Sequence, residues 1–345
     1  MKLERGDFEQ FRTAVLSGKP SYVPLSELLV DIEAKEAFLG KPVTDIRTDI
    51  EFWQRAGYDY YSLAIGPQFH TSGRFEDERK GLTTDRKWAE ESKGIITTLE
   101  EFEDFPWPSK DEIDFRPLEE ASRLLPKGMK IVLRWGDIFT HTWQLMGFET
   151  FCFALVEKLE LVERLFEKLG RLALAVFERG VENPSVGAIW YSDDLAYASG
   201  LMCSPEVYRK YLFPWMRRIG EISRSKDLPY IYHSDGVLWS VLRDLMEDIG
   251  INALQPIEPK AMDIREVKKK FAGSLAVIGN VQVDTLARGS PKDVEEATKA
   301  LIRDVAPGGG FCLGSSNTIT YYTKPENYKR MLETVKRFGN YPISL

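Results

Sequence analysis

The stretch Leu228-Pro229-Tyr230-Ile231-Tyr232-His233-Ser234-Asp235-Gly236 and its sequel to Pro256 decide the fold. The run Leu228–His233 is apolar and rich in aromatic and β-branched residues, without polar alternation. That is how a strand covered on both faces reads. A helical pattern over Val237–Asp248 follows and stops at Gly250, a helix C-cap residue. A second buried run, Ile251–Pro256, comes next. Strand, helix and strand at this spacing form one βαβ unit, which implies a parallel sheet.

The unit repeats outward in both directions. Further buried runs are Tyr58–Ile65, Lys130–Trp135, Val186–Tyr191, Leu275–Asn280 and Gly310–Leu313. Between them, Phe148–Glu178 reads as two helices. Ser204-Pro205-Glu206 and Ser290-Pro291 each carry a capping serine with proline at the first helical position. Pro325 opens a last helix through Phe338. No GxGxxG or P-loop follows a strand, which removes the usual nucleotide-binding readings. Regular alternation favours an α/β (β/α)8 TIM barrel in a single domain, residues 1–345. A helical extension is expected over about residues 1–50. A long excursion, about residues 66–128, is expected over the barrel mouth.

The bulk numbers agree. A chain of 345 residues exceeds the about 250 residues of a typical barrel and needs no disulfide or metal merely to fold. Lys and Arg number 46 against 53 Asp and Glu, a net charge of −7. That excludes a nucleic-acid footprint and a polybasic membrane patch. No stretch approaches the ~20 apolar residues of a membrane helix. The N-terminus has alternating charges and no signal-peptide core, and the three cysteines are widely spaced. Together these predict a cytoplasmic protein.

In a barrel, functional side chains follow the strands at the C-terminal face. The residues so placed are Arg134 and Trp135; Tyr191, Asp193 and Asp194; His233 and Asp235; Glu258; Asn280; and Cys312, Ser315 and Ser316. His233-x-Asp235 aims two polar side chains at one mouth. They suit a metal site, an acid–base pair or a structural hydrogen bond. Cys312 reads as a small core residue or as a thiolate completing a His/Asp/Cys zinc set. At least one of Asp193 and Asp194 is expected to cap the following helix, and the other suits a partner for His233 or a substrate contact. Arg134 suits a substrate carboxylate or an ion pair. Glu258, set between two prolines, reads as ligand, acid or ion-pair partner.

The ordered motifs resemble the uroporphyrinogen decarboxylase superfamily. They are Tyr191-Ser192-Asp193-Asp194-Leu195, Cys203-Ser204-Pro205-Glu206-Val207-Tyr208-Arg209, His233-Ser234-Asp235-Gly236, Gly250–Pro256, Gly279-Asn280-Val281, Gly309–Leu313 and Pro325-Glu326-Asn327. Residues Leu16–Glu27 resemble the family start. The decarboxylases themselves carry Arg-Gln-Ala-Gly-Arg where this chain has Pro24-Leu25-Ser26-Glu27-Leu28. They carry Gly-His-Gly where it has Leu313-Gly314-Ser315-Ser316. The resemblance is therefore closer to the corrinoid-dependent methyltransferase branch. It implies a homodimer and Zn2+ held by His233, Asp235 and Cys312. It also implies catalytic roles for Asp193, Asp194, His233 and Glu258, and substrate contacts from Arg134, Trp135, Tyr191, Asn280, Ser315 and Ser316. A methyl group would pass by O- or N-demethylation from a small methylated substrate to a corrinoid carried on a partner protein. The alternatives are a metal-free decarboxylase and a barrel that binds a small molecule or tetrapyrrole without turnover.

Overall fold

The computed structural model describes residues 6–67, 69 and 94–345. Seven strands form one parallel sheet in chain order: β1 Tyr60–Ala64, β2 Lys130–Gly136, β3 Val186–Ser192, β4 Tyr230–His233, β5 Ala253–Gln255, β6 Ala276–Ile278 and β7 Phe311–Cys312. Each lies within a run recognised in the sequence or extends one residue beyond it. Their side chains are almost all buried, because helices cover the outer face and packed side chains fill the inner one. The architecture is the expected (β/α)8 type.

The eighth position is taken by an extended segment from the N-terminal region expected to be helical. Leu25 bridges Leu313 in parallel. Ser26 donates its N–H to the Leu313 carbonyl at 2.9 Å, and Leu313 donates to that of Pro24 at 2.9 Å. On its other side the segment meets β1 through side chains. The Glu27 N–H donates to Tyr60 Oη at 2.8 Å, and Ser62 Oγ donates to the Leu28 carbonyl at 2.8 Å. Residues 23–30 thus lie between β7 and β1. The helices Phe8–Val15, Ile32–Leu39 and Ile46–Ala56 flank this segment in the chain.

The outer helices follow their start signals. Ser290 caps Pro291–Val305 through a capping box with Asp293. The 148–180 region divides into Phe148–Glu157 and Leu159–Gly180. One helix starts later than its pattern: after β4 the regular winding is Asp244–Ile249. The preceding residues are tied down elsewhere, since Val237 donates its N–H to the Tyr197 carbonyl at 3.1 Å. Gly236 at φ +84° lies so close to Ala196 that a Cβ would come within 2.5 Å of its backbone.

Of the expected excursion, residues 68 and 70–93, which include His70 and Trp88, lie outside the described residues. The described remainder contains Leu99–Asp104 and Arg116–Leu124, which pack on the outer helices Leu159–Gly180 and Ile46–Ala56. No described helix is long and apolar enough to cross a membrane.

Candidate metal and active site

His233 ends β4 with only 7% of its surface exposed. Its Nδ1 is hydrogen-bonded to Gln255 Oε1, and Gln255 stands opposite it on β5. Gln255 Nε2 donates to the Asn317 carbonyl at 2.9 Å. A carbonyl can only accept, so the amide nitrogen of Gln255 must face Asn317 and its oxygen must face His233. Nδ1 therefore carries the proton, and the lone pair of Nε2 is left free.

That lone pair faces two carboxylates. Among the described residues, one group of potential metal ligands has its atoms within 4.8 Å of one another: Asp194, His233 and Asp235. Asp194 Oδ1 lies 3.7 Å from His233 Nε2 and accepts the Asp235 N–H at 2.9 Å. Asp235 Oδ2 accepts from Asn317 Nδ2 at 2.6 Å, while Oδ1 is buried with no hydrogen-bond partner. Burial pushes the Asp235 carboxyl up to about 7. The charges on Asp194 and Glu258 add to the shift, and the hydrogen bond from Asn317 opposes it. A buried carboxylate oxygen left bare beside an imidazole lone pair suits a cation. The donor set of one nitrogen and two carboxylates fits zinc or another divalent transition metal.

Cys312 stands outside this group. Its thiol is fully buried and raised by that burial, and the charges acting on it are Asp59 and Lys268. Lys268 also binds the carbonyl of Gly310, just before β7. Asp194 takes the place the sequence reading assigned to Cys312. Spacing along the chain carries no information on where a strand side chain points.

The adjacent aspartates divide their duties. Asp193 is fully buried and accepts four hydrogen bonds, from Phe139 N (2.7 Å), Thr140 N (2.9 Å), Thr140 Oγ1 (2.9 Å) and Tyr191 Oη (2.8 Å). It satisfies the first turn of the helix Ile138–Met146. Burial raises its carboxyl to about 6, and the four donors hold it down. Tyr191 is buried with its hydroxyl committed to Asp193, which makes it a support of the site. Asp194, half exposed, faces the mouth.

The other expected site residues are distributed as follows. Glu258 Oε2 accepts the Gly236 N–H at 3.2 Å. With Asp235, Lys260, Asp284, Ser316 and Asn317 it lines a cavity of about 260 Å³ beside the cluster. Ser316 Oγ accepts from Val283 N, and Asn280 Nδ2 donates to the Ile257 carbonyl. Ser315 is buried against Glu27. The indole of Trp135 donates to the Pro67 carbonyl at 3.1 Å and packs on Gly66, where a Cβ would strike the ring at 2.3 Å. Arg134 is partly exposed at the end of β2, and its Nε is buried without a hydrogen-bond partner. Asp49 and Asp137 are the carboxylates whose charges act on it.

Three site residues escaped the sequence reading: Asp137, Gln255 and Asn317. Asp137 follows β2 in the left-handed region at φ 66°, a strained conformation that recurs at functional positions. Its carboxyl is raised by burial and by the charges of Asp193 and Asp194. The position just after a strand was a usable signal for Asp137, and the position at a strand's end for Gln255. Asn317 carried none.

Comparison with known proteins places the chain in a family. The family described as uroporphyrinogen decarboxylase (URO-D) matches residues 93–338. The chain belongs to the uroporphyrinogen decarboxylase family. Within 142 residues it is 28% identical to the methylcobamide:CoM methyltransferase MtbA of Methanosarcina acetivorans and 27% identical to that of Methanosarcina mazei. The match covers 41% of this chain and 40% of either relative, so it spans well under half of the curated relatives' length. A solved "methyltransferase from Methanosarcina mazei" superposes with a TM-score of 0.69 at 16% identity, over 95% of this chain and 98% of that one. At that identity it shows a shared fold. The family's members differ in chemistry, so what this barrel does is argued from its own site.

Proposed function

We propose that this barrel is a metal-dependent methyltransferase acting on a small methylated substrate, with the corrinoid of a partner protein as methyl acceptor. The observation that carries the reading is the grouping of His233, Asp235 and Asp194, whose potential ligand atoms lie within 4.8 Å of one another, with Asp235 Oδ1 buried and unpartnered. The names of the curated relatives and of the structural neighbour support it. His233, Asp235 and Asp194 would hold the ion. Bound there, Zn2+ supplies Lewis acidity that makes an ether oxygen or amine nitrogen a better leaving group.

The protein's own residues do the rest. Gln255 keeps His233 in the tautomer with Nε2 free. Asn317 orients both Gln255 and Asp235. Glu258, at the cavity wall, would pass a proton to the oxygen or nitrogen released when its bond to methyl breaks. Arg134 offers a guanidinium to a substrate carboxylate. The cavity beside the cluster is lined by Asp235, Glu258 and Asp284 with one lysine, which favours a polar methylated amine or ether over a bare aromatic one.

The test is metal content of protein purified without chelator, followed by demethylation of amine and methoxy substrates with cob(I)alamin. About one zinc per chain is expected. It should be lost in His233→Ala and Asp235→Ala and retained in Cys312→Ala. Wild-type protein that takes up no zinc, even when zinc is added back, would overturn the reading. Carboxylate loss by such metal-free protein would move the assignment to a decarboxylase with Arg134 binding the acid.

A further inference from the structure

Glu27 is a fully buried carboxyl outside the site just described. It sits on the segment that closes the barrel. Its Oε1 accepts the Ser315 N–H at 2.6 Å, and its Oε2 shares a 2.7 Å hydrogen bond with the Ser315 hydroxyl. The groups that face it are the phenols Tyr58, Tyr60 and Tyr328, and no described ion pair contains it. Burial without a cation raises the carboxyl to about 8, so at neutral pH it is held as the acid. A neutral acid in an apolar site is an expensive way to bind one serine, which asks what the serine holds.

Ser315 begins a relay. The chain from Leu313 to Asn317 is pinned at each step: Leu313 to Pro24 and Ser26, Ser315 to Glu27, Ser316 N–H to the Val281 carbonyl at 2.8 Å. Gly314 passes so close to the closing segment that a Cβ would lie 1.9 Å from the Ser26 carbonyl. The free end of this pinned run is Asn317. It donates to Asp235 Oδ2 and accepts from Gln255 Nε2, and Gln255 sets the His233 tautomer. Asn317 thus orients both residues, Asp235 through its side chain and His233 through its backbone carbonyl and Gln255, and its backbone is anchored two residues earlier by Glu27.

We propose that Glu27 is a positioning residue for the His233 site, a latch that fixes the loop after β7 so that Asn317 holds Gln255 and Asp235 in register. The latch rests on the site assigned above. It ties the site to closure of the barrel by the N-terminal segment.

The experiment reads the ring nitrogens of His233 by 15N NMR in the full chain, beside a Co2+ titration followed by absorbance. The chain has three histidines, His70, His141 and His233, and His233→Asn assigns the signal. Wild type should show His233 with its proton on Nδ1. Glu27→Ala should populate both tautomers and weaken Co2+ binding about 10- to 100-fold, the usual effect of losing a group that orients a ligand. Glu27→Gln should match wild type in both readouts, because an amide offers Ser315 one acceptor and one donor as the neutral acid does. Ser315→Ala, which keeps the backbone N–H and loses the hydroxyl, should fall between them and replaces Glu27→Ala if that variant does not fold. An unchanged His233 spectrum in the truncated variants, or failure of Glu27→Gln to restore it, overturns the latch. Wild-type protein that binds no Co2+ while its tautomer still responds to Glu27→Ala sinks the metal reading and leaves the latch standing.

Discussion

Asp193 and Asp194 are neighbours in the chain, and their environments send them to different work. Asp193 is enclosed by four donors, whereas Asp194 is half exposed beside His233. Asp193→Ala leaves two buried N–H groups and a buried phenol without an acceptor. It should lower the unfolding free energy by about 2–4 kcal/mol in urea melts. Asp194→Ala should leave those melts unchanged within about 0.5 kcal/mol and weaken Co2+ binding instead. Glu27 sets a pH dependence with a definite sign. In the fold it keeps its proton up to about 8, while the unperturbed value is 4.5. The stabilisation from the protonated form is therefore complete below pH 4.5 and is lost as pH rises to about 8. Glu27→Gln cannot ionise. Relative to wild type, it should gain stability across that window, which paired denaturation curves at its two ends would measure. A constant difference between the two proteins would remove the charge argument.

At the scale of elements, the site is built from loops following the neighbouring strands β3 (Asp194), β4 (Asp235) and β5 (Glu258), and from the loop after β7 (Asn317), with β6 between the last two. Gly236 makes their approach feasible. Its φ of +84° and its contact with Ala196 exclude a Cβ. Gly250 has the same φ, but a Cβ there would meet only the end of the Arg224 side chain, which can move. Either Gly→Ala change strains the backbone by about 1–3 kcal/mol. Gly236→Ala should also displace Asp235 and Glu258 and lower metal affinity, while Gly250→Ala should leave affinity at the wild-type value. Equal affinities in the two variants would show that the loop after β4 tolerates movement.

For the whole molecule, closure is the issue. The segment 23–30 covers one edge of β7 and one side of β1. Exposed strand edges invite pairing between chains. A chain lacking its first 30 residues should therefore elute as aggregate in size exclusion, with no recoverable metal site. A soluble truncated protein that retained Co2+ binding would mean that the sheet closes without this segment.

The chemistry of single residues and short runs was enough to establish the parallel strands, the helix start at Ser290, and a polar His233-x-Asp235 at a strand end. Those features are local: a strand buried on both faces must be continuously apolar, and a helix start needs a capping acceptor. Which residues meet was another matter. Nothing near Cys312 in the chain distinguishes a ligand from a core thiol, and nothing near Glu27 points to Ser315. Residues 23–30 are mostly apolar with one proline, yet nothing local marks them as the closing strand, because their strand-like role depends on Leu313 and Tyr60, both distant in the chain. The barrel thus lay in the periodicity of the sequence. The ligand set, the tautomer of His233 and the latch were decided by the tertiary structure, because hydrogen bonds form between groups that only closure of the sheet brings together.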